Sequence, residues 1–140
     1  MESCRRKEDG FTLLELTIIV GLLGVLFAIA APAVSGYLRS SKVTGASNAL
    51  VADLRYGRSL ASTQRKSYQI LFAANSYTLC SVSPLTTVTT RTLPRGVTCT
   101  SSGTATFYAW GLTNPVTVRM VAGPDTSAVI LGANGSVARD

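Results

Sequence analysis

The chain has 140 residues, 46% of them apolar and 14% charged, with no histidine and a formal net charge of +6. That length and composition suit one domain with a modest core and do not suit a disordered chain. The lack of histidine excludes histidine acid–base chemistry and histidine metal sites, and three cysteines without a C-x-x-C pair leave no zinc or redox motif.

The first ten residues balance Arg5, Arg6 and Lys7 against Glu2, Glu8 and Asp9. From Arg39 onward ten Lys and Arg face only Asp53, Asp125 and Asp140. This half of the chain is basic, which gives either a solvated surface mildly attracted to anions or a surface for a polyanionic partner.

Between these regions runs "DGFTLLELTIIVGLLGVLFAIAAPAV", Asp9 to Val34. No charged residue falls between Leu16 and Leu38, a run of 23, and about 20 apolar residues suffice to cross a bilayer as a helix. The basic cluster ahead of the run holds the N-terminus in the cytoplasm and sends the remainder across; Cys4 is then a reduced cytoplasmic thiol. Glu15 does not fit a plain span, because a carboxylate in hydrocarbon costs roughly 2.5–3.5 kcal/mol on insertion scales. A secretory signal peptide would use "AIA" at Ala28–Ala30 as its cut, but the apolar core is too long and Glu15 interrupts it. A signal anchor explains the span and leaves both Glu15 and Gly10 unexplained.

The pattern G-FTLLE, behind a short basic leader and ahead of about twenty apolar residues, resembles the N-terminus of a type IV prepilin. The resemblance implies that a membrane aspartyl peptidase cuts after Gly10 and N-methylates Phe11. It also implies that Glu15, five residues into the mature chain, serves assembly, and that Pro32 marks a helix bend. Electrostatics makes this intelligible: the new α-ammonium of Phe11 lies about one helical turn from Glu15, and opposite charges attract strongly where the dielectric is low. Each is costly if unpaired, so Glu15 of one subunit meeting the ammonium of a neighbour rewards the correct register. The competing reading is a Glu15 that reaches the headgroups and does nothing more.

Beyond the span, Val43, Ala46, Leu50, Leu54, Gly57 and Ala61 recur at spacings of three and four, an apolar stripe. Arg39, Lys42, Arg55, Arg58, Arg65 and Lys66 fall off it. The spacing predicts one helix from about Phe11 to Gln64, with Pro32 removing a hydrogen bond and bending it. Gly21 and Gly24 permit close helix contact. "SYQILFA" and "SYTLCSV" flank Ala74-Asn75 as a hairpin. The threonine-rich stretch that follows favours short strands broken at Pro94, Gly96 and Gly103. "VTVRMVA" and "SAVILG" read as strands, and Asn134-Gly135 as a turn. The fold class is α+β, a long N-terminal helix against antiparallel sheet, divided into a removed leader (1–10), a transmembrane helix half (11–38), an amphipathic half (39–66) and an exported β-rich domain (67–140).

The stretch "LVADLRYGRSLASTQRKSYQILFAANSYTLC", the pair Trp110-Gly111 and a final GxVxR-like strand resemble the FimT/GspH branch of minor pilins and type II secretion pseudopilins. This resemblance implies a two-sheet β domain. Cys80 and Cys99 fall in predicted strands on the exported side, where an oxidising periplasm would allow a disulfide worth about 2–4 kcal/mol; two buried thiols are the alternative.

Catalysis finds no motif: there is no G-x-S-x-G and no phosphate loop, and no cofactor is expected. Some FimT-branch members capture DNA in natural transformation through a tail resembling G-R-x-R. Here the tail reads "GSVAR", with Ser136 in place of the first arginine. Arg91, Arg95, Arg119 and Arg139 are the candidate phosphate contacts, and the closely spaced aromatics Tyr108 and Trp110 do not by themselves make a stacking platform. The sequence thus points to a non-enzymatic minor pilin or pseudopilin of the inner membrane, N-terminus cytoplasmic and C-terminal domain periplasmic. By resemblance its partners are other pilins, the prepilin peptidase, the inner-membrane assembly platform and the lipid bilayer, with DNA as the alternative ligand.

Overall fold

The computed structural model describes residues 11–140, with residues 31–33 described by backbone alone. A helix, α1, spans Leu13–Gln64. It begins after Thr12, whose Oγ1 accepts the Glu15 N–H at 3.2 Å, the N-cap half of a T-x-x-E capping box. It ends where Arg65 takes a positive φ of 52°, the left-handed conformation that commonly terminates helices.

Two regimes divide α1. The part of α1 up to Gly36 belongs to one compact unit, and Tyr37–Asp140 forms the other. In the first unit the apolar side chains from Phe11 to Ile29 stand exposed on every side of the helix, and its most apolar stretch has a mean hydropathy of 2.6. A helix apolar all round belongs in hydrocarbon or a core.

In the second unit the stripe is buried as the spacing predicts: Val43, Ala46, Leu50, Leu54 and Ala61 are at most 5% exposed, and Gly57 is buried among them. They pack against eight strands, β1 Tyr68–Ala73, β2 Ser76–Ser81, β3 Thr86–Thr92, β4 Thr98–Ser101, β5 Ala105–Phe107, β6 Val116–Ala122, β7 Asp125–Leu131 and β8 Val137–Arg139. These form two four-stranded antiparallel sheets, ordered β3-β2-β1-β5 and β4-β6-β7-β8. The expected hairpin is β1–β2, with Ala73 opposite Ser76 across the Ala74-Asn75 turn. Alternation along β6 turns Val116, Val118, Met120 and Ala122 inward, as a sheet with one covered face requires.

One core joins α1 to both sheets, including Ile70, Tyr77, Leu79 and Phe107 from the first and Val118, Met120, Val129 and Leu131 from the second. Gly57 lets α1 approach the first sheet closely. A Cβ there would lie 3.1 Å from the Phe107 ring and 3.2 Å from Leu79.

The expected Cys80–Cys99 disulfide is not formed in this structure: both are free and buried. Their strands belong to different sheets. The Cys80 thiol points to the Gln69 carbonyl at 3.7 Å, while Cys99 packs within the core, where burial pushes its thiol pKa up.

Candidate functional site

Two acids on α1 meet opposite fates. Asp53 is buried and answered within the chain. Its carboxylate accepts the Tyr77 hydroxyl at 2.7 Å and Arg91 Nε at 2.6 Å, which ties β2 and β3 to the helix. Burial, then the bond to Asp53, pushes the Tyr77 phenol far above its ordinary pKa. The Arg91 guanidinium is held charged by the same carboxylate. Glu15 stands in the first turn of α1 on an exposed face, and among the described residues nothing pairs with its carboxylate. The positive end of the helix dipole favours an anion at that position. Phe11, four residues earlier, is 76% exposed. Gly10 and the rest of the expected leader lie outside the described residues, and the helical backbone of α1 runs on through Pro32.

The four arginines expected to meet phosphate do not converge. Arg91 is engaged by Asp53. Arg139 donates to Asn48 Oδ1 at 2.6 Å, latching β8 to α1. Arg95 lines a hollow with Asn75 and Pro94, and Arg119 lines another with Ser101 and Thr117 on the second sheet. Tyr108 and Trp110 do form a stacked pair, with ring centroids 5.2 Å apart and planes 3° from parallel.

A groove of about 570 Å³ went unread in the sequence. Arg55, Arg58, Ser59 and Ser62 of α1 form one wall, with Gly111 and Gly135–Val137 opposite. The helical spacing placed the two arginines on one exposed side, but the opposite wall comes from a turn 77 residues further on. Gly135, at a φ of 77°, supplies the backbone for the Asn134-Gly135 turn, and its missing side chain leaves room for Arg58. A Cβ there would fall 2.6 Å from Arg58 Nε.

Comparison with known proteins gives two kinds of match. Residues 5–31 match the prokaryotic N-terminal methylation motif. The type IV major alpha-pilin of Moraxella bovis is 44% identical over 45 residues, which are 32% of this chain and 28% of that protein. Prepilin peptidase-dependent protein D of Escherichia coli K12 is 45% identical over 38 residues, 27% of this chain and 26% of that protein. The chain thus aligns with under a third of the length of these curated relatives. The fold is matched more widely. The minor pseudopilin EpsH of the Vibrio cholerae type 2 secretion system superposes with a TM-score of 0.64 at 12% identity, covering 71% of this chain and 96% of EpsH. The type IV minor pilin FimU of Pseudomonas aeruginosa gives 0.62 at 16% identity, covering 71% and 89%.

A methylation motif on an apolar helix that continues into an α+β domain makes the chain similar to type IV prepilins. Its fold is like that of EpsH and of FimU.

Proposed function

We propose that the chain is a structural minor pilin or pseudopilin, non-enzymatic, which is cut after Gly10, N-methylated on Phe11 and assembled into a filament. The observation that carries this reading is the juxtaposition of the methylation motif at 5–31 with a domain of minor-pilin fold. Before assembly it is held in the inner membrane by the first half of α1, N-terminus cytoplasmic and β domain periplasmic, since the Arg5-Arg6-Lys7 cluster disfavours transfer of the leader. Pro32 bends the helix where its hydrogen bond is lost.

Glu15 then provides the docking charge. In lipid its unpaired carboxylate is expensive, and the α-ammonium freed on Phe11 of a neighbouring subunit relieves that cost, so the pair favours one axial offset over others. The DNA-binding alternative has thinner support, because Arg91 and Arg139 are engaged inside the domain.

Intact mass of protein recovered from cells tests the processing: the mature chain is expected to begin at Phe11 with one added methyl group. A different start overturns the proposal. Glu15→Ala is expected to leave membrane insertion unchanged and to lower filament incorporation roughly tenfold or more, the factor that follows from losing about 1.4 kcal/mol of docking energy. Unchanged incorporation would leave Glu15 as a carboxylate that merely reaches the headgroups.

A further inference from the structure

The groove beside α1 combines positive charge, fixed geometry and an absence of counter-charge. Arg55 and Arg58 are three residues apart and so neighbours on the helix surface. Among the described residues neither has an acid within ion-pair distance; the ion pairs there are Arg39–Asp125 and Arg91–Asp53. Arg58 is also held in place. Its side chain occupies the space left open by Gly135, and Nη1 donates to the Gly135 carbonyl at 3.1 Å. That acceptor is neutral and takes one of five guanidinium donors. A guanidinium already immobilised loses little entropy on binding, and its fork matches a carboxylate.

We propose that this groove docks an acidic segment of a partner polypeptide, with Arg55 and Arg58 receiving its carboxylates. The hydroxyls present suit such a ligand. Ser62 donates back to the helix carbonyls of Arg58 and Ser59, and Ser136 donates to Asn134; their oxygens remain acceptors for backbone N–H groups. At the groove's far side Gly111 sits between Trp110 and Leu112, 72% and 54% exposed. They offer apolar contact to a segment that mixes acidic and apolar residues.

Two observations select this occupant. A nucleic acid needs a track of cations along its backbone, whereas Arg39, Arg91 and Arg139 are turned to Asp125, Asp53 and Asn48. What remains at the groove is a local pair. A second copy of this chain is a poor donor, because its acids from Arg39 onward are Asp53, Asp125 and Asp140, and the first two are already in ion pairs. The partner is therefore a different polypeptide. This goes beyond the filament reading and does not depend on leader cleavage.

The test uses the purified full chain in detergent micelles and a fluorescein-labelled hexaglutamate peptide, followed by anisotropy at low ionic strength. The double variant R55Q/R58Q is expected to weaken binding about tenfold, as loss of two charge-assisted contacts implies. R119Q, which removes one charge from the second sheet, should weaken it less than about twofold, the scale of diffuse screening alone. Because Arg58 supports the Gly135 turn, R55Q alone is the safer variant, and about a threefold loss is expected from that exposed side chain. No binding, or equal losses for R55Q and R119Q, would overturn the proposal. An oligothymidylate of matched charge binding more tightly, and lost on R55Q, would reassign the groove to nucleic acid. None of these results bears on the mature N-terminus, so the filament reading stands or falls by its own mass measurement.

Discussion

The two halves of α1 share one backbone conformation and opposite chemistry. Up to Gly36 apolar residues cover the whole circumference; from Tyr37 they narrow to one stripe, with arginines and lysines on the remaining surface. The first half has no covered side, so its apolar residues are stabilised by whatever surrounds the helix. The second half gains its stability from the sheets it lies on. Acids follow the same division: Asp53 finds its partners inside the chain, whereas Glu15 has none among the described residues. A single helix can therefore have its acid answered locally at one end and left unpaired among the described residues at the other.

The sharpest way to break this comparison is truncation of one leucine in each half. Leu54→Ala should destabilise the β-rich domain by about 3 kcal/mol, through lost burial and a residual cavity, read by denaturant unfolding of the full chain in micelles. Leu22→Ala should change the same transition by less than about 0.5 kcal/mol. Equal losses would mean that the first half is held by the domain after all.

Next in size is the buried acid. Asp53→Ala leaves the Tyr77 hydroxyl without its acceptor and should cost about 2 kcal/mol, part of which Tyr77→Phe in the same chain restores. The Tyr77 phenol also gives a pH signature. Its folded pKa lies above the ordinary 10.0, so the unfolded chain releases this proton first. Stability from this group is intact below about pH 10 and declines as pH rises above it. Phenolate absorbance of the folded protein should therefore show one tyrosine that ionises only on unfolding.

Smaller effects sharpen the picture. Ser47 is fully buried on the second half, and among the described residues its hydroxyl has no hydrogen-bond partner. Ser47→Ala should therefore stabilise the domain by about 1 kcal/mol, seen as a rise in the denaturant midpoint. Alkylation of the chain under denaturing, non-reducing conditions should label both Cys80 and Cys99; labelling of neither would restore the disulfide.

What the sequence made legible was local. The stripe from Val43 to Ala61 follows from helical period, and the β1–β2 hairpin from two alternating runs around Ala74-Asn75. Glu15 stands out because a charge inside an apolar run is conspicuous, whereas Gly10 and Phe11 are singled out only through the resemblance of G-FTLLE to a prepilin N-terminus. The division into two sheets was not derivable from periodicity, since β1 takes β5 as its second neighbour while β4 crosses to β6, and such pairings leave no mark at fixed spacing. Asp53 reads in sequence as one more helix charge, because Tyr77 and Arg91 lie 24 and 38 residues away. The same distance problem hides the partners of Arg91 and Arg139: sequence shows that a cation exists and not which carbonyl or carboxylate it faces.

The bare backbone at Gly57 also offers a built-in gauge. Its nearest neighbour is the ring of Phe107, which immediately precedes Tyr108, and Tyr108 stacks on the chain's single tryptophan. Adding one methyl group with Gly57→Ala would press on Phe107 by a few tenths of an ångström, at the root of the loop that bears the fluorophore. Tryptophan emission, a signal with one source in this chain, would then report the spacing between helix and first sheet. A partner that shifts that spacing could be followed without any added label.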